Sequence, residues 1–170
     1  MDAQACIQRL TQNSATFQAL MGPVSPEDAS WRPAPDKWSL IEVTAHLLDE
    51  EREDFRTRLD LVLHHPERDW PSINPAGWVE ERNYAARNLE ETLRHFLDER
   101  ARSVVWLRGL RSAKWMSTHT HPVLGSIRAG DLLAAWVAHD WLHIRQIARI
   151  QWQRIGELAQ PFKTEYAGEW

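Results

Sequence analysis

Of the eight histidines in this 170-residue chain, two stand four residues apart inside an apolar run, at His139 and His143. The stretch Ala135-Trp136-Val137-Ala138-His139-Asp140-Trp141-Leu142-His143-Ile144-Arg145-Gln146-Ile147 reads as the middle of a helix running from about Asp131 to about Arg154. At 100° per residue, Leu132, Trp136, His139, His143, Ile147 and Ile150 share one stripe roughly 80° wide, so the two imidazoles are stacked a turn apart on the face that should be buried. A buried imidazole without a partner costs on the order of 1–3 kcal/mol, so both need something to bind. A divalent metal is one such partner, because histidines at i and i+4 aim two nitrogens at a single ion. A mutual hydrogen bond is another, and two ordinary core histidines held by backbone carbonyls and water are a third. Chance alone yields about 0.3 pairs at this spacing, so the apolar setting carries more weight than the spacing. A third ligand has to decide.

The other histidines offer weaker cases. His46 falls in the second turn of a predicted second helix, beside Val43 at the margin of its apolar stripe. From that position the surface reading is favoured over one in which the ring turns inward. Asp49 and Glu50 lie close enough to receive the second ring N–H of an inward His46, the usual support for a ligating imidazole, and are equally explained as solvated acids. His64 and His65 end the same helix, where the macrodipole favours them as capping residues. His95, between Arg94 and Phe96, reads as solvent-facing. His119 and His121 would share a face in a strand and form a rival pair, in a stretch that reads as an exposed loop. Asp140 follows the first helix-4 histidine but points about 100° round from it. It either orients a ligand, acts as a base, or is simply a surface acid. Asn83, Tyr84 and Arg32 are lower-ranked candidates for lining a pocket.

Long helices must position these residues. Residues 2–21 form an amphipathic helix on Cys6, Ile7, Leu10, Phe17, Leu20 and Met21, stopped by Gly22-Pro23. Ser25-Pro26-Glu27-Asp28 reads as a capped single turn with proline at its first position. Trp31-Arg32-Pro33-Ala34-Pro35 must cross between elements in extended form. Ser39 and Glu42 make a capping box, with Trp38 and Val43 as its hydrophobic staple, and open a helix predicted to continue to about Leu63. A loop with Pro66, Pro71 and Pro75 follows. A third helix is expected from about Trp78 to about Leu107, ended by Gly109. Residues 114–127 alternate and are broken by Pro122, which reads as a short irregular hairpin or extended loop before helix 4. After Arg154, Gly156 and Pro161 mark a C-terminal tail.

Composition narrows the classes. A chain that is 43% hydrophobic and 26% charged, without repeats or a linker, is expected to be one domain over residues 1–170. Ten tryptophans against two tyrosines point to a core of large flat fillers and an aromatic pocket wall. A net charge of −4 argues against nucleic acid as a partner. The single cysteine, Cys6, excludes an internal disulfide and a cysteine zinc cluster, and reads as a packing residue. No signal peptide and no apolar run long enough to span a membrane is visible, so a cytoplasmic location without membrane association is expected.

The chain resembles the DinB-like family of four-helix bundles. The residues that carry the likeness are Trp31-Arg32-Pro33 and Lys37-Trp38-Ser39-Leu40-Ile41-Glu42-Val43-Thr44-Ala45-His46-Leu47. They are followed by Gly125-Ser126-Ile127-Arg128-Ala129-Gly130-Asp131-Leu132-Leu133, which leads into His139-Asp140, His143 and Gln146-Ile147. This three-part pattern is far more specific than either half. The resemblance implies an all-α up-down-down-up bundle with a crossover, frequent homodimers, and a divalent metal held by three histidines. Carried over by position, those would be His46, His139 and His143, which reverses the reading of His46 taken from the wheel. Gly130 departs from a good helix start and blurs where helix 4 begins.

Three neutral imidazoles would leave an open coordination position, as catalytic zinc sites have. Zinc or nickel is expected first, with iron(II) or manganese also suited to nitrogen donors. Such a site can lower the pKa of a bound water toward about 7 for hydrolysis, or deprotonate a thiol. Relatives in the resembling family are described as metal-dependent hydrolases or as enzymes using low-molecular-weight thiols such as bacillithiol or mycothiol. The expectation is therefore a metal-dependent hydrolase or thiol S-transferase acting on a small-molecule substrate. The competing expectation is a non-catalytic, metal-stabilised dimeric binding module.

Overall fold

The computed structural model describes every residue except Met1 and Glu169. Four helical rods form the bundle. The first is α1 (Ala3–Met21), capped by Asp2, whose carboxylate accepts from the Ala5 N–H at 2.9 Å. A single short helix, α2 (Pro26–Ser30), leads to the second rod through residues 33–37. These bend and turn, the Lys37 N–H donating to the Ala34 carbonyl at 3.0 Å, where the sequence suggested an extended crossing. That rod is α3 (Leu40–Glu50), a π-helical turn over Glu51–Phe55, and α4 (Arg56–His64). A crossover containing α5 (Pro75–Glu81) and a 3₁₀ turn at Tyr84–Ala86 precedes the third rod, α6 (Leu89–Gly109). An antiparallel hairpin, β1 (Thr118–His121) and β2 (Gly125–Arg128), then feeds the fourth, α7 (Ala129–Leu158).

The two halves of the core fix the direction of each rod. At one end Ile7 and Leu10 from the start of α1 meet Leu59 and Val62 of α4, Val104 and Leu107 from the end of α6, and Leu133 and Trp136 from the start of α7. At the other, Phe17 and Met21 meet Leu40, Val43 and Leu47 of α3, Leu93 and Phe96 of α6, and Ile144, Ile147 and Ile150 of α7. Rods one and four therefore run together and rods two and three run against them, the expected up-down-down-up order. Two parallel neighbours cannot be joined by a tight turn, which is why residues 65–88 form a long crossover.

Three element boundaries differ from the sequence expectation. The second rod is continuous to His64, but a wider π-helical turn interrupts it where the apolar stripe has a gap between Leu47 and Phe55. Glu51, filling that gap, is 1% exposed. The third rod starts at Leu89 instead of near Trp78. Asn83 has φ 45°, the left-handed conformation that ends a helix, and the Asn88 side chain accepts from the Glu91 N–H at 2.9 Å to begin the next one. The fourth rod runs past Arg154 to Leu158, because Arg154 is tied to Asp28 and Glu27 of α2 at 2.7 and 2.6 Å. Gly130 sits within its first turn, its N–H held by the Trp115 carbonyl at 2.9 Å. The hairpin forms as expected, with Gly125 at φ 72° supplying the turn. Among the described residues, no helix is long and apolar enough to cross a membrane.

Candidate metal centre

The capping box that opens α3 is formed. The Glu42 carboxylate accepts from the Ser39 N–H at 2.9 Å, and Ser39 Oγ accepts from the Glu42 N–H at 3.4 Å. Arg32 reaches from the connection between α2 and α3 to the same carboxylate, with its Nε at 3.0 Å from Oε2. Arg32 is thus a clamp on the helix start, not a pocket residue. This fixes the register of α3 and carries His46, two turns in, toward α7.

His46 is 6% exposed, not a surface histidine. All residues of α3 are buried, because the crossover packs over the side that the wheel assigned to solvent: Trp78 and Tyr84 cover Ala45. Tyr84 also donates to Asp49 Oδ2 at 2.7 Å, with Arg82 at 2.9 Å from the same oxygen. Asp49 therefore anchors the crossover and does not support His46. Asn83 supplies the left-handed break beside it.

His46, His139 and His143 each offer a ring nitrogen such that all three lie within 4.8 Å of one another. The two Nε2 atoms on α7 are 3.1 Å apart. The His46 ring centroid lies 4.8 Å from that of His143 and 5.6 Å from that of His139. Nδ1 of His143 is 2.8 Å from Gln146 Oε1. With the amide oxygen assigned toward the ring, that nitrogen is the donor and Nε2 presents its lone pair to the cluster. Nδ1 of His46 is buried and has no hydrogen-bond partner. Trp38 packs on His46 and Phe55 on His139, each with ring centroids 5.0 Å apart.

The surroundings keep the rings neutral. Burial, reinforced by His143, holds His46 down to about 3. Burial, with His143, His46 and Arg100 adding to it, holds His139 down to about 2. Burial also lowers His143, against the opposing pull of Gln146 and Asp140. Neutral imidazoles clustered on an orphaned nitrogen are a donor set suited to a divalent transition metal.

At the His139 side, Glu50 Oε2 lies 3.9 Å from Nε2. Burial and the adjacent Asp54 push Glu50 up to about 8. Asp54 is itself raised by burial, although Arg58, 2.9 Å away, pulls the other way. Glu50 therefore neighbours His139 and shares a hydrogen bond with Asp54, instead of supporting His46.

Asp140 is neither a base nor a surface acid. It is fully buried, bound by both terminal nitrogens of Arg100 at 2.7 and 2.8 Å and by Asn13 Nδ2 at 2.9 Å. Arg100 Nε also donates to Glu51 at 2.9 Å, and Trp136 Nε1 donates to Glu51 at 3.0 Å. This network joins α1, α6, α7 and the π-helical turn directly beneath the histidines. Sequence reasoning missed it, and also missed Phe55. Gln146 stood in the quoted motif without a role. A lone arginine in a predicted helix gives no sign that it will be buried, so Arg100 had no detectable signal.

The remaining histidines are used otherwise. His119 is buried, not exposed: its ring stacks on Trp70 at 4.6 Å and its Nδ1 lies 3.1 Å from the Pro66 carbonyl. Nδ1 of His121 accepts from the Val123 and Leu124 N–H groups at 3.1 Å each, closing the hairpin turn. His64 and His65 are exposed at the end of α4.

Fold and cluster together define an up-down-down-up four-helix bundle with three imidazoles gathered between its second and fourth rods. The chain belongs to the DinB superfamily, whose profile matches residues 9–147. Among solved structures it is similar to YfiT from Bacillus subtilis, with a TM-score of 0.79 and 19% identity, covering 91% of this chain and 87% of that one. YfiT is described as "a probable metal-dependent hydrolase with an unusual four-helix bundle topology". At that identity the likeness establishes the fold alone. No curated protein matches the sequence.

Proposed function

We propose that this protein is a metal-dependent hydrolase of small molecules, with one divalent ion held by His46, His139 and His143. The observation that carries the reading is the convergence of three neutral imidazoles, one with a buried nitrogen lacking any partner, beside an open groove at His143. The description of YfiT adds support. Three protein donors leave room for a further ligand, and zinc, nickel, iron(II) or manganese all suit nitrogen ligation. When bound, such an ion supplies Lewis acidity that lowers the pKa of a water or thiol reaching it.

The chain's own residues then have definite tasks. Gln146 fixes the ring orientation of His143 through Nδ1. Trp38 and Phe55 exclude bulk water from the inner side of the cluster. Glu50 stands beside His139, where its carboxyl, pushed up to about 8, is protonated at neutral pH and can donate a proton to a leaving group. The Arg100 network sets the spacing between α7 and the π-helical turn that carries Glu51 and Phe55 and directly follows Glu50.

The test is turnover by protein loaded separately with each of the four metals, using ester and amide substrates in one arm and low-molecular-weight thiols with electrophiles in the other. Metal-dependent turnover in the first arm, falling at least about 100-fold in His139→Ala, is expected. Turnover only in the thiol arm would replace hydrolysis by S-transfer. Full metal occupancy without turnover in either arm would leave a metal-stabilised binding module.

A further inference from the structure

We infer that the groove flanking His143 is a subsite for an anionic group of the substrate, read by Arg145 and Arg149. The inference rests on the metal-site reading above for the identity of the reacting end. The groove, of about 640 Å³, is lined by Leu142, His143, Arg145, Gln146, Arg149 and Trp170. A second hollow of about 320 Å³ shares Gln146 and Arg149 with it and adds Lys37 and Trp38 among its walls. Among the described residues, no aspartate or glutamate lines either one.

The side-chain charge lining the groove is of one sign among the described residues. With 24 acidic against 20 basic residues, most of its arginines in and around the bundle are matched by carboxylates: Arg56 and Arg102 with Glu99, Arg82 with Glu53, Arg100 with Asp140, Arg154 with Asp28. Among the described residues Arg145 and Arg149 pair with none, and both are exposed. Four apart on one helix, they share a side and repel each other, a local cost that an anion would offset. Lys37 contributes less, since its Nζ is 2.8 Å from Asp36.

At 1.5 Å of rise and 100° of turn per residue, Arg149 stands about 9 Å along the axis and about 120° round the helix from His143, and Arg145 about 3 Å along and about 160° round. A ligand that meets both therefore follows the groove around the helix past Gln146. The carboxylates Glu50 and Asp54 lie on the opposite, His139 side of the cluster. The histidines therefore sit between an acidic flank and a guanidinium flank. A substrate is oriented with its negative end over the arginines and its reacting bond toward His139. The planar guanidinium fork matches a carboxylate or a phosphate. The substrate class is thus a small molecule bearing such a group about one to two helical turns from the bond that is broken.

The experiment uses the full chain, with 6-mercaptohexanoate and its neutral analogue 6-mercaptohexan-1-ol as probes. Their binding to cobalt(II)-loaded protein is read from the sulfur-to-cobalt charge-transfer absorption. The anionic thiol should bind about tenfold more tightly than the alcohol, which corresponds to about 1.4 kcal/mol. The double variant Arg145→Gln/Arg149→Gln should abolish that preference while leaving cobalt stoichiometry and alcohol affinity unchanged. A preference absent in the parent, or undiminished in the variant, overturns the subsite. A second arm titrates inorganic phosphate into metal-free protein: binding that weakens with salt and disappears in the double variant is expected, and no binding overturns the subsite. Failure to take up cobalt would count against the metal reading alone, because the phosphate arm still decides the groove.

Discussion

At His46 and His139, burial and the neighbouring rings, His143 first, hold the rings down to about 3 and about 2, whereas in the unfolded chain both titrate near 6.5. The sign of the pH dependence follows. Above 6.5 the rings are neutral in both states and contribute no slope; below it the unfolded chain binds protons that the folded protein refuses. Metal-free protein therefore loses stability as pH falls from about 6.5 toward 3, by up to about 1.4 kcal/mol per pH unit for each ring. Glu50, raised to about 8, works oppositely: its contribution is present below 4.5 and is lost as pH rises through 8. The rings outnumber it between 4.5 and 6.5. Urea midpoints of metal-free protein should thus fall from pH 6.5 to pH 5, and the slope should flatten in His139→Ala; equal slopes would refute the buried-neutral assignment. His139 and His143 were legible in the sequence because the helical period alone puts both on the apolar face. His46 was not, since nothing local reveals that its ring turns in to meet His139 and His143 on a distant helix. Only the family resemblance placed it.

The start of α3 is the element on which the position of His46 depends. Ser39→Ala removes the acceptor for the Glu42 N–H, and should cost about 1 kcal/mol in a urea titration while leaving metal stoichiometry unchanged. Preserved stability would mean that Arg32 and Glu42 hold the helix start without the cap. The capping box was fully readable, because both of its hydrogen bonds are local. The π-helical turn was not: Leu47, Phe55 and Leu59 continue a helical period across it, and the reason for the extra width is a buried Glu51 whose partner, Arg100, lies 49 residues away. The break at Asn83 escaped notice for a similar reason. Apolar periodicity resumes at Leu89, so the stretch reads as one helix unless the turn chemistry of Asn83 and Asn88 is given precedence.

For the molecule as a whole, Arg100 is the tie between the rods. Its side chain, like those of its partners Glu51 and Asp140, is almost entirely removed from solvent. Arg100→Met strands two buried carboxylates and should destabilise the protein by about 3–5 kcal/mol, lowering the melting temperature by on the order of 10 °C. A small change in melting temperature would show that water replaces the guanidinium. The directions of the rods were implied by resemblance, not by pattern, because a hydrophobic stripe is the same read up or down. The central claim, that three rings from two rods share one cation, is tested most directly by metal analysis of untagged protein purified without chelator. About one divalent ion per chain is expected in the parent, strongly reduced retention in His46→Ala, and none in the double variant His139→Ala/His143→Ala. Metal retained at the parental level by that double variant would contradict it.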